Sequence, residues 1–109
     1  MSESSRRAAR MARVFKAMAH PLRIWALEEL AASGERCVCE LARMSGTDDS
    51  TMSRHLSHLR LAGLVADERR GLQVFYRLIA PDVIDLLRGA ETVSGIHARD
   101  GSAAVGHTS

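Results

Sequence analysis

Hydrophobic residues change their spacing at Gly63. Ahead of it they recur every three to four residues, as on one face of a helix, and after it they alternate, as on one face of a strand. The helical stretch just before this point is itself broken once, by Ser45-Gly46-Thr47. A short helix is expected over Val38 to Met44, with Leu41 and Met44 turned inward. Asp48 is a good N-cap for the next helix, with Asp49 favourable in its first turn. Met52, Leu56 and Leu59 form that helix's buried stripe, and Gly63 suits a stop just past Ala62. Two helices joined by so tight a turn are a helix-turn-helix.

Leu64 to Glu68 and Gln73 to Leu78 read as two strands, the second rich in Val, Phe and Tyr. Arg69, Arg70, Gly71 and Leu72 are left as the loop, which places two arginines at a hairpin tip. Upstream, Ala8, Met11, Ala12, Phe15 and Met18 mark an amphipathic helix. Pro21 opens a second helix with Leu22, Trp25, Leu27, Leu30 and Ala31 on its apolar face, closed by Ser33-Gly34. Pro81 opens a last helix that runs to about Val93. The expected fold is mainly α with a β-hairpin wing, a dimeric winged helix-turn-helix. Residues 1–94 form its DNA-binding and dimerisation domain, and 95–109, lacking periodicity, form a disordered tail.

At 109 residues the chain suits one domain, and so small a domain gains core by pairing with a second copy. No apolar run approaches a membrane span, and the basic start has no apolar stretch behind it, so neither a membrane partner nor a signal peptide is expected. The two cysteines, Cys37 and Cys39, are one residue apart and would close too small a ring to staple a secreted fold. A reducing cytoplasm is the simpler setting.

The charge pattern favours double-stranded DNA as a partner. Net charge is only +2, but fourteen of the fifteen cationic residues are arginine, which makes forked contacts with phosphate and guanine. With Met52, Leu56 and Leu59 inward, the following helix presents Ser50, Thr51, Arg54 and His58 outward. Arg54 suits a guanine edge, and Ser50 and Thr51 lie near the end that enters the groove. Ser53 and Arg60 are placed for phosphates, and Arg69 and Arg70 for backbone or a narrow minor groove. Asp48 and Asp49 work against this by repelling phosphates. His55, on the edge of the buried stripe, reads as a partly buried histidine with a satisfied hydrogen bond, and His20 as a neighbour of a helix cap.

Arg36-Cys37-Val38-Cys39-Glu40-Leu41, then Ser53-Arg54-His55-Leu56 and Leu61-Ala62-Gly63-Leu64-Val65, resemble the arsenic-responsive branch of the ArsR/SmtB metalloregulatory repressors. The resemblance covers about Val14 to Leu78, and Cys-Val-Cys at the start of the first helix of the motif is its most specific element. It implies a homodimer built through the first and last helices, which represses a resistance operon until an inducer binds. The sequence departs from the family in one place: a third cysteine often follows the pair, where this chain has Ala42.

Thiol chemistry points to the same inducers, since paired thiolates select soft ions. Arg36 and the nearby helix N-terminus are expected to lower the thiol pKa values. A closed zinc site needs four ligands, and here only Cys37, Cys39 and Glu40 cluster. No permanent cofactor is expected. Inorganic arsenite, a trivalent organoarsenical and antimonite stay open as inducers. Because residues i and i+2 of a helix point to different sides, chelation is expected to unwind the first turn. An alternative makes the pair a redox sensor. An enzyme is disfavoured by the lack of a Cys-x-x-Cys in a βαβ setting, a phosphate loop or paired carboxylates. A protein-interaction module is disfavoured by the arginines of helix and wing.

Overall fold

The computed structural model describes residues 2–103. Five helices and three strands follow in the order α1 (Glu3–Met18), α2 (Pro21–Ser33), β1 (Arg36–Cys37), α3 (Val38–Ser45), α4 (Asp49–Leu61), β2 (Val65–Arg70), β3 (Gln73–Leu78) and α5 (Val83–Ala103). The helices start where local chemistry favours it. Pro21 takes the first turn of α2, where its missing amide costs nothing, and His20 Nδ1 caps that helix by accepting from the Leu22 amide at 3.0 Å. Asp48 caps α4, its Oδ1 accepting from the Thr51 amide at 2.7 Å, a bond that holds its carboxyl below the usual range. Gly46, left-handed at φ 75°, ends α3 and permits the tight turn into α4.

One core unites these elements. Leu27 and Leu30 of α2, Leu41 of α3 and the stripe Met52, Leu56 and Leu59 of α4 are fully buried together. Each such side chain contributes roughly 1.5–3 kcal/mol on leaving water. Met44, expected inward, is largely exposed, because Leu41 and Ala42 already fill the buried face of so short a helix. In α1 and α5 the pattern is different: Met11 and Phe15, and Leu86 and Val93, remain 42–57% exposed.

The wing is an antiparallel sheet in the order β1-β3-β2. The β2–β3 ladder runs from Val65↔Leu78 to Arg70↔Gln73, so the hairpin tip is Gly71-Leu72 and not the four residues expected. Gly71 at φ 64° makes so short a turn possible and keeps both arginines within the strand. Strand β1 was not legible, since two residues carry no period. It pairs with β3 through Arg36↔Tyr76 and Cys37↔Phe75.

Helix α5 also departs from expectation, continuing past Val93 to Ala103. Nothing in that stretch forbids a helix, for it has no proline, and each glycine costs only about 1 kcal/mol relative to alanine. The expected tail from residue 95 is therefore helical through Ala103, and 104–109 lie outside the described residues. Among the described residues no helix is long and apolar enough to cross a membrane.

Candidate nucleic-acid interface and thiol cleft

Burial of Met52, Leu56 and Leu59 fixes which way α4 faces. Ser50, Arg54 and His58 are exposed, Thr51 is half-buried, and Ser53 is exposed on the flank next to α3. The side chains of Arg54 and His58 form no hydrogen bond or ion pair among the described residues, so their donors are open to a partner. Arg54 can present a two-pronged donor to a guanine edge or a phosphate.

The other arginines divide. Arg69 is exposed and makes no ion pair among the described residues. Arg70, expected at the hairpin tip for DNA backbone or a narrow minor groove, is held by carboxylates of the protein itself. Its guanidinium bonds both oxygens of Glu35 at 2.9 and 2.7 Å and Glu68 at 2.9 Å, and it stacks on the Phe75 ring at 4.6 Å. These carboxylates push the Arg70 pKa up further, and the Arg70 guanidinium in turn holds Glu68 below the usual range. Arg70 thus ties the hairpin to the start of β1, a role hidden in the sequence by 35 residues of separation. Arg60 forms an ion pair with Asp67 of β2 at 3.8 Å, which also turns it toward the wing.

The cysteine pair straddles a helix boundary. Cys37 is the N-cap of α3, its backbone extended at φ −79°, ψ 159°, while Cys39 lies inside the first turn. The cap is reciprocal: Cys37 Sγ accepts from the Glu40 amide at 3.4 Å, and Glu40 Oε1 accepts from the Cys37 amide at 2.9 Å. The spacing Cys37-x-x-Glu40 is that of a capping box with sulfur in place of the usual hydroxyl, a signal present in the sequence and missed there. With Cys37 outside the helix, the two cysteines are not the i and i+2 positions of one helix on which the expected unwinding rested, and both residues line one cleft.

That cleft encloses about 670 Å³. Its floor is Cys37, Val38 and Cys39; one wall is the α4 flank with Asp49, Ser50, Ser53 and Arg54, and the other is the wing with Leu72, Gln73 and Val74. Gln73 Nε2 donates to Cys39 Sγ at 3.7 Å, a weak link from wing to thiol that no sequence pattern announced. Among the described residues no three His, Cys, Asp or Glu side chains converge as a metal site.

The electrostatics correct a second expectation. Cys37 is 3% exposed, and burial pushes its thiol pKa up; the adjacent Cys39 adds to this, and the Glu40 amide only partly offsets it. Arg36 does not relieve the Cys37 thiol, because Glu29 at 3.1 Å and Glu40 at 3.6 Å already hold it. Glu40 in turn is kept ionised, chiefly by the Cys37 amide. The resting site is therefore a protonated, capped thiol.

On the opposite flank of α4, His55 behaves as a satisfied, partly buried residue. Its Nδ1 accepts from Arg23 Nε at 3.0 Å, and its ring lies 4.3 Å from that of His20. Burial, then the nearby His20 and Arg23, push its pKa down.

The profile of bacterial regulatory proteins of the arsR family matches residues 20–67, from the cap of α2 into β2. The uncharacterized HTH-type transcriptional regulator MT0088 of Mycobacterium tuberculosis is 42% identical over 83 residues, which make up 75% of this chain and 72% of that protein. The chain belongs to the ArsR family. Arsenic resistance transcriptional regulator ArsR1 of Pseudomonas putida is 43% identical over 65 residues, 60% of this chain, and the match spans about half (51%) of that relative's length. A solution structure of a homodimeric winged helix-turn-helix DNA-binding domain from Mycobacterium bovis, Mb0332, described as a possible ArsR-family regulator, superposes with TM-score 0.75 at 33% identity over 89% of each chain. As an ArsR-family member this chain carries the winged helix-turn-helix domain of a bacterial regulatory protein.

Proposed function

We propose that this ArsR-family chain is a homodimeric repressor that leaves its operator when trivalent arsenic or antimony bridges Cys37 and Cys39. The observation that carries the reading is that both cysteines line a cleft whose wall is the flank of α4 bearing Ser50, Ser53 and Arg54. Names among its relatives that speak of arsenic resistance support the inducer class.

The chemistry balances without a redox step. Arsenous acid carries three hydroxyls; each thiol forms a sulfur–arsenic bond, and two waters depart with the thiol protons. The third hydroxide stays, or an organic substituent holds its place, since no third cysteine follows at Ala42. Once bonded to arsenic, Cys37 Sγ is a poorer acceptor for the Glu40 amide, which weakens the cap of α3. The occupant also stands against Ser53 and Arg54 and displaces the bond from Gln73 to Cys39. DNA and inducer therefore bind with opposed preferences, and each lowers affinity for the other by the same factor.

The DNA-bound form reads through α4, with Arg54 on base edges, Ser50, Thr51 and His58 beside it, Ser53 on phosphate and Arg69 reaching from the wing. Arg60 and Arg70 hold the wing in place through Asp67, Glu35 and Glu68. Two copies join through α1 and α5, where Met11, Phe15, Leu86 and Val93 stand exposed on each. A two-fold dimer requires an inverted-repeat operator with half-sites about one helical turn apart, or a multiple of it.

Fluorescence anisotropy of the reduced protein on its upstream DNA, titrated with arsenite, a trivalent organoarsenical, antimonite, zinc and cadmium, tests this. Release by an arsenical in wild type but not in Cys37→Ser supports the reading. Release by peroxide alone would replace it with a redox sensor, and the absence of specific binding would refute operator recognition.

A further inference from the structure

The arginine-rich start of the chain has no role in the thiol switch or in base reading, yet the fold brings part of it to α4. Arg13 and Lys16 of α1 meet Arg23 of α2 and His58 and Leu61 of α4 around a groove of about 580 Å³. No carboxylate lines it. Arg13 and Lys16 are exposed, and their side chains form no ion pair among the described residues. Being three apart, they share one face of α1, while Met11 and Phe15, four apart, share another that is left for a partner helix. The groove therefore stays open when the apolar face is covered.

Arg23 is fixed at the back of the groove. Its Nε donates to His55 and its Nη1 to the Ala17 carbonyl at 3.1 Å, which neutralises part of the negative end of α1. His58 and Leu61 carry the groove onto the outward face of α4. The thiol cleft flanks that face on one side, and this groove flanks it on the other.

We infer that this groove is a phosphate-binding site for the operator backbone, in which Arg13 and Lys16 extend the footprint of α4 beyond the base-reading residues. The inference rests on the reading of the chain as a DNA-binding regulator. A helix seated in a major groove is bordered by phosphates, and the cations beside α4 face that border. Such contacts set register and affinity and carry no sequence information.

The test is the salt dependence of binding to operator and to scrambled duplex, measured for the intact chain and for Arg13→Gln/Lys16→Gln. Each phosphate contact contributes about 0.9 to the slope of log affinity against log salt, so the double variant is expected to lose about 2 from the slope. Affinity for both duplexes should fall by the same factor. Arg13→Lys/Lys16→Arg should keep the wild-type slope. An unchanged slope in the glutamine variant overturns the site, as does a loss confined to the operator. A charge-conserving variant that fails like the glutamine variant also overturns it, because the effect is then one of packing. Wild type that binds neither duplex refutes the regulator reading itself, a different outcome from wild type that binds with a slope the variant shares.

Discussion

The two flanks of α4 hang on one buried stripe and are built on opposite chemistry. One is a cleft of thiols, hydroxyls and apolar side chains, in which the lining guanidinium, Arg54, shares its wall with the Asp49 carboxylate. The other is a groove of uncompensated cations at the meeting of α1, α2 and α4. The cleft is closed by bonds that a soft ligand competes for, namely the Cys37 cap and the Gln73 link. The groove is held by bonds that such a ligand does not touch, from Arg23 to His55 and to Ala17. In the readings proposed above, the bonds that an inducer would compete for border one flank of α4, and the cations that would hold phosphate border the other.

The comparison breaks most severely at the part both flanks share. Leu56→Ala empties a fully buried position of the α4 stripe and is expected to cost about 2–5 kcal/mol. Denaturant unfolding should register that loss, and inducer response and DNA binding should weaken together. If one survived unchanged, the flanks would not depend on a common core.

Next comes the thiol side alone. Cys37→Ser should raise the arsenical concentration needed for release by about 100-fold or more, because chelation by two linked donors becomes binding by one. DNA affinity should stay within about twofold. Cys37→Ala should lose the response equally but unfold more easily than Cys37→Ser by about 1 kcal/mol, since serine keeps a cap acceptor and alanine does not. Equal melting of the two would mean that the sulfur cap carries no stability.

Arg54 sharpens the contrast between reading and holding. Arg54→Ala should reduce discrimination between operator and scrambled duplex by about 1–3 kcal/mol, measured by competition. The groove cations should leave that ratio untouched.

The smallest effect is one of pH. His55 has a folded-state pKa pushed below its ordinary value near 6.5, so its contribution to stability is complete above that value. It is lost as pH falls through the folded pKa, because the unfolded chain takes up the proton first. Melting temperature should decline from pH 7 toward 5, and His55→Asn should flatten the decline. A slope unaltered by the substitution would remove His55 as its source.

Sequence reading recovered the helix-turn-helix, the wing strands and the outward face of α4, because each rests on local period, caps or glycine. It misplaced what depends on distant partners. Arg70 looked free until Glu35 and Glu68 were brought to it, and Arg36 looked like an activator of the thiols until Glu29 claimed it. Strand β1 exists only through its pairing with β3, and the extended backbone of Cys37 follows from that pairing. Those two residues place Cys37 outside the helix that holds Cys39, so the pair is not a helical dithiol. The Cys37-x-x-Glu40 box is the exception, a local signal obscured by a sulfur where a hydroxyl is customary.

The wall that the cleft borrows from α4 bears on how such regulators diversify. Under the proposed function Ser50, Ser53 and Arg54 serve two masters, so a substitution that retunes the operator would also reshape the cleft for the inducer, and the two specificities would be inherited as one trait. Anyone building a sensor on this scaffold gains independent control elsewhere. Val38, Leu72 and Val74 line the chamber without belonging to α4, and Thr51 and His58 lie on α4 without lining the chamber. Selection for a new analyte should draw first on the former set, and selection for a new promoter on the latter.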